Sequence, residues 1–170
     1  MRFIIAISSV GIRENGFEFE RHSATNQPDM GVDVSIKASA ESIASMCESA
    51  AGRNLPELRG ALGDPKRRVK ARVDVKATAS RLSAIQVNKF ADDVPKNPGT
   101  QVHIMAGGSG FTKLAQRAWD RLQDAHGDEG KVFIHMTNED VARLASEHST
   151  EMNSALSGPL GPEGDRGEET

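Results

Sequence analysis

The sequence predicts an α/β fold with a mixed, largely parallel sheet and an N-terminal β-hairpin. Three observations predict it. Short segments alternate apolar and polar residues at period two, each is followed by a turn and then by apolar residues at helical spacing, and an Asn-Gly pair stands between two strand-like runs near the start. An α+β arrangement is the alternative, because no helix separates the first three strands.

The run Arg2–Val10 is apolar on both sides of the alternation and reads as a strand buried on both faces. Asn15-Gly16 suits a type I′ turn, since both residues tolerate positive φ, and Phe17–Glu20 reads as the return strand. A polar loop, Ser23–Met30, follows. Four strand–helix units come next. In the first, Val32, Val34, Ile36 and Ala38 alternate with polar residues. Ser39 then caps a helix carrying Ile43, Met46, Cys47 and Ala50, which Gly52 ends. Leu55–Leu62 adds a short second helix, closed by Gly63-Asp64-Pro65. In the second unit, Val69, Ala71, Val73 and Val75 form the strand, and Thr78 is the expected cap of a helix with Leu82, Ile85 and Phe90. The third has strand Val102–Ala106, the turn Gly107-Gly108-Ser109-Gly110, and a helix with Phe111, Leu114, Ala115, Ala118, Trp119 and Leu122. The fourth has Val132, Ile134 and Met136, then Thr137 as cap with Asp140 at the reciprocal position.

At 170 residues the chain fits one domain, taken as 1–156, with an acidic Gly-Pro tail over 157–170. From Gly158 the tail runs through four Gly-X-Y triplets and resembles a collagen-like repeat, although twelve residues are too few to hold a triple helix alone. The single cysteine, Cys47, excludes an intrachain disulfide and fits a reducing, cytoplasmic compartment (host cytoplasm or virion for a viral protein). Its place on an apolar helical stripe makes it a small core residue. No apolar run approaches the roughly 20 residues of a membrane span.

Enzyme signatures are sparse. There is no nucleophile elbow and no His-Glu-x-x-His motif. The histidines at 22, 103, 126, 135 and 148 show no metal spacing, so no catalytic residue, metal or cofactor is assigned. His103 and His135, offset from the core set on their strands, point to the opposite face. If all four units run parallel, Ser39, Thr78, Ser109 and Thr137 share the sheet edge where α/β folds bind ligands.

Two candidate sites emerge. In the first, Lys66, Arg68, Lys70, Arg72 and Lys76 fall on one side of the alternation, interrupted by Asp74. Same-face residues lie about 6.6 Å apart at a rise near 3.3 Å, which makes a cationic strip able to follow a phosphate backbone or meet an acidic partner. Edge protection and a solvated face are the alternatives. In the second, Gly107, Gly108, Ser109 and Gly110 lie between strand and helix, where free N–H groups attract phosphate. The stretch Ala106–Thr112 resembles the Ala-Gly-Gly-x-Gly-x-Thr loop of ferredoxin-reductase-like enzymes, where it binds the nicotinamide dinucleotide. Lys113 stands where proline is usual, too little chain follows for that nucleotide domain, and there is no tyrosine for the flavin, so membership is rejected.

The resulting expectation is a non-catalytic interaction or assembly protein, homo-oligomeric, contacting nucleic acid through the cationic strand. An accessory factor of a viral or other nucleoprotein assembly would suit that description. The alternative is a small enzyme or binding domain for a phosphorylated ligand at Gly107–Gly110.

Overall fold

A computed structural model describes residues 18–21 and 34–147. Arg2–Val10, the Asn15-Gly16 turn, the Ser23–Met30 loop, His22, Val32, His148 and the Gly-X-Y tail lie outside the described residues.

The elements are β1 (Glu18–Arg21), β2 (Val34–Ser39), α1 (Ala40–Ala51), α2 (Pro56–Leu62), β3 (Arg68–Lys76), α3 (Ala84–Asp92), β4 (Val102–Gly107), α4 (Lys113–His126), a 3₁₀ turn (Gly127–Glu129), β5 (Val132–Met136) and α5 (Asn138–Glu147). They form one five-stranded mixed sheet in the order β1-β2-β3-β4-β5. The β1–β2 and β2–β3 pairs are antiparallel, and β3–β4 and β4–β5 are parallel.

The antiparallel β2–β3 pair corrects the expectation of four parallel units. One helix between two strands carries the chain back once, so the next strand runs parallel. Two helices, α1 and α2, carry it back and forth again, and β3 starts beside the end of β2. The junction is fixed by the Ala40 and Glu41 N–H groups, which donate to the Arg67 and Pro65 carbonyls at 2.8 and 3.0 Å. Ser39 therefore lies opposite Arg68, at the sheet edge away from Thr78, Ser109 and Thr137. The four turns do not converge.

Both sheet faces are covered. Val34, Ile36, Ala38, Val69, Ala71, Val73, Val102, Ile104 and Met136 pack with residues of α1, α2 and α5 in one core. Met105 and Phe133, on the alternate positions, pack with Val87 and Phe90 of α3 and Ala115, Ala118, Trp119 and Leu122 of α4 in a second. Each large side chain so buried contributes about 1.5–3 kcal/mol. Cys47 belongs to the first core, where burial raises its thiol pKa to about 12.

Capping chemistry sets the helix starts. Ser39 Oγ accepts the Ser42 N–H at 3.0 Å, and Thr137 and Asp140 form a reciprocal pair, with Thr137 N–H and Asp140 N–H donating to each other's side chains at 2.8 and 3.2 Å. One cap differs from expectation: Ser83, not Thr78, caps α3 in a capping box with Gln86; Thr112, just past the glycine turn, caps α4. Residues 78–82 and 108–112 are tied together first, so both helices start later. Ile85 and Leu114, read as helix-face core residues, are 81% and 65% exposed on the first turns of α3 and α4.

Candidate functional site

The cationic strand is interior to the sheet, so edge protection does not explain it. Its N-terminal end is nonetheless accessible. The turn before it is set by Asp64, whose carboxylate accepts the Lys66 N–H at 2.9 Å and whose carbonyl accepts the Arg67 N–H at 3.0 Å. Lys66, Arg67 and Arg68 are exposed, and Lys70 is half-buried. Arg68 pairs with Glu18 of β1 at 2.7 Å, both side chains at least half exposed.

The antiparallel register adds a residue that the linear reading missed. Lys37 of β2 is exposed and lies directly opposite Lys70. Directly opposed residues hold their Cβ atoms about 4.5–5.5 Å apart, and like charges there are destabilising. Glu18, opposite Lys37 on the other side, offsets part of this charge. The alternation of Lys37 was visible in the sequence; its neighbour was not.

Arg72 takes no part in this surface, although it continues the same alternation. It is fully buried, with Nε donating to His103 Nδ1 at 2.6 Å, Nη2 donating to the Phe90 carbonyl at 2.9 Å, and its guanidinium carbon 4.6 Å from the Phe90 ring centre. Burial holds Arg72 below the usual guanidinium pKa, against the opposing charges of Asp74 and Asp93. Burial, reinforced by the Arg72 charge, pushes His103 down to about 3. His103 is therefore neutral. Its Nδ1 accepts from Arg72, which assigns the proton to Nε2, and Nε2 donates to the Thr100 carbonyl at 3.2 Å. Removing the guanidinium would leave His103 Nδ1 and the Phe90 carbonyl without a donor beneath α3, each at a cost of about 1–3 kcal/mol. Lys76 is matched locally, its Nζ 2.7 Å from Asp74. The accessible cationic patch is thus Lys66 and Arg67 in the turn before β3, Arg68 and Lys70 on β3, and Lys37 on β2; Lys66 was expected on the strand, but β3 starts only at Arg68.

The glycine loop has a packing explanation. Gly107 has φ +125°, and a Cβ there would lie 2.1 Å from the Lys76 carbonyl oxygen. Gly108 has φ +70°, and its Cβ would meet the Leu82 side chain at 2.8 Å. The Gly108, Ser109 and Thr112 N–H groups donate to the Thr78, Ser80 and Leu82 carbonyls at 3.2, 3.1 and 3.0 Å. The Leu82 N–H returns a bond to the Gly110 carbonyl at 2.8 Å. The N–H groups of Gly108 and Ser109 are thereby directed at neighbouring chain. His135 sits beside the loop, with Nε2 2.9 Å from the Gly107 carbonyl and its ring 4.2 Å from that of Phe111; burial lowers its pKa.

Among the described residues, no group of three or more His, Cys, Asp or Glu side chains is arranged to hold a metal, and no helix is long and apolar enough to cross a membrane. No protein-family model, curated protein or solved structure matches the chain.

Proposed function

We propose that this protein is a non-catalytic, self-associating binding protein that contacts the phosphate backbone of nucleic acid, as a component of a nucleoprotein assembly. The supporting observation is the directly opposed Lys37–Lys70 pair beside Lys66, Arg67 and Arg68. A fold gains nothing from opposing two lysines across a ladder, and a polyanion relieves the repulsion. The patch lies at the N-terminal edge of the parallel strands, away from the edge where α/β folds form ligand crevices, so it suits an extended backbone rather than an enclosed small molecule.

Fluorescence anisotropy with labelled duplex DNA and single-stranded RNA tests this. Neutralising about four phosphates gives a log–log salt slope near −3.6 on duplex, so raising salt from about 50 to 200 mM should weaken binding on the order of 100-fold. Charge reversal in the pair Lys37→Glu and Lys70→Glu should weaken binding to all sequences alike and flatten the slope. Undetectable or salt-insensitive binding to both nucleic acids refutes the proposal.

A further inference from the structure

We infer that the outer edge of β5 is the surface on which two copies of this chain associate, β5 pairing antiparallel with β5 of a second copy about a two-fold axis through Ile134. This rests on the self-association in the reading above and names its surface.

Among the described residues, β5 has one strand neighbour, β4. The Val132 N–H donates to the Gln101 carbonyl at 2.8 Å, which sets the phase of the parallel ladder. Val132, Ile134 and Met136 turn their backbone groups toward β4. Phe133 and His135 turn theirs outward. Unpaired outward groups on a strand are a template for another strand.

A two-fold axis through Ile134 uses those groups completely. It places Phe133 opposite the partner's His135 and His135 opposite the partner's Phe133. Both are positions where two residues exchange N–H···O bonds, giving four bonds across the axis. Ile134 then faces the partner's Ile134 in the closer, non-hydrogen-bonded position.

The surroundings suit this occupant. A groove of about 750 Å³ runs along β5, with Leu55, Pro56, Leu58 and Ile134 among its apolar walls. Its charged lining is Arg53 and Lys131 against Glu57 and Asp140, two of each sign, the balance a self-complementary surface requires. In this register Lys131 lies opposite the partner's Thr137. The Thr137 N–H and hydroxyl hold the Asp140 carboxylate at 2.8 Å, so each Lys131, which pairs with Glu129 at 2.5 Å within its own chain, also meets an acidic group across the axis.

The test uses the full chain, freed of nucleic acid. Light scattering on a sizing column should give twice the 18.3 kDa chain mass. The closer antiparallel pair sets Cα atoms about 4.5 Å apart, within disulfide range, so Ile134→Cys should cross-link to a covalent dimer under mild oxidation. Ile134→Lys, with the fold checked by circular dichroism, should return the monomer. A monomeric parent overturns the proposal, as does a dimer that neither cross-links at position 134 nor responds to Ile134→Lys. A dimer abolished by deleting residues 1–10 overturns it in favour of that segment as the occupant. None of these readouts involves nucleic-acid affinity, so failure here is distinguishable from failure of the cationic patch.

Discussion

Replacing Gly107 by alanine, with Gly110→Ala alongside, separates packing from conformation at the glycine loop. The two glycines have nearly the same φ, +125° and +127°. An alanine at either carries the backbone strain of a region L-residues avoid, about 1–3 kcal/mol. At Gly110 nothing lies within 4 Å of the added Cβ, so strain is the whole cost. At Gly107 the Cβ lands 2.1 Å from the Lys76 carbonyl oxygen and 3.0 Å from its carbon. Both are backbone atoms of the adjacent strand, which no rotamer change relieves. The ends of β3 and β4 must separate, leaving a buried backbone group unpaired for about 1–3 kcal/mol more. Gly107→Ala should therefore cost about 2–6 kcal/mol. At about 2–4 °C per kcal/mol for a chain of this size, its melting temperature falls on the order of 10 °C. Urea titration followed by circular dichroism measures both variants. Equal destabilisation within about 0.5 kcal/mol would refute the close approach to Lys76. If the loop's glycines serve packing, Gly110→Ala also leaves nucleic-acid affinity unchanged.

Two further outcomes follow. His103 has a folded pKa near 3 against an ordinary 6.5, so the unfolded chain binds the additional proton in that window. Stability should rise with pH from about 3 to 6.5 and be lost as pH falls through it, by an amount on the order of several kcal/mol at about 1.4 per unit. His135 is lowered too and acts in the same sense. Urea midpoints from pH 7 to pH 4 check this, and an unchanged profile in His103→Gln would remove His103 as the cause. Ser83→Ala should cost about 1 kcal/mol by breaking the capping box of α3. Thr78→Ala, whose hydroxyl accepts only the Ser80 N–H among the described bonds, at 3.2 Å, should cost less. The reverse order in thermal melts would restore Thr78 as the cap.

Much of the architecture was legible because it is written in local periods. The alternation in Val34–Ala38, Val69–Val75, Val102–Ala106 and Val132–Met136 assigned strands and separated their two faces. Ser39 and Thr137 were readable as caps because each directly precedes its helix. The start of α3 was also readable and was missed: Ser83-Ala84-Ile85-Gln86 is a capping-box pattern. Thr78 is the first hydroxyl after the strand, but Arg81 rather than Glu or Gln stands three residues later. The start of α4 was not readable in the same way, because Ser109 and Thr112 are both acceptable caps. The choice between them depends on Ser109 and Thr112 N–H groups bonding a segment some thirty residues earlier.

The sequence by itself determined that Arg68, Lys70, Arg72 and Lys76 share one side of a strand, since alternation needs only the chain's own geometry; Lys66, expected with them, lies in the turn before β3. Tertiary structure alone decided what that side meets. At its start the face is open beside β2, which brings Lys37 to Lys70. One turn of the alternation later, at Arg72, α3 covers the same face, and the cation becomes a buried donor to His103 and the Phe90 carbonyl. Residue spacing sets the direction of a side chain. Strand direction, register and helix cover depend on segments distant in the chain, and those set its environment.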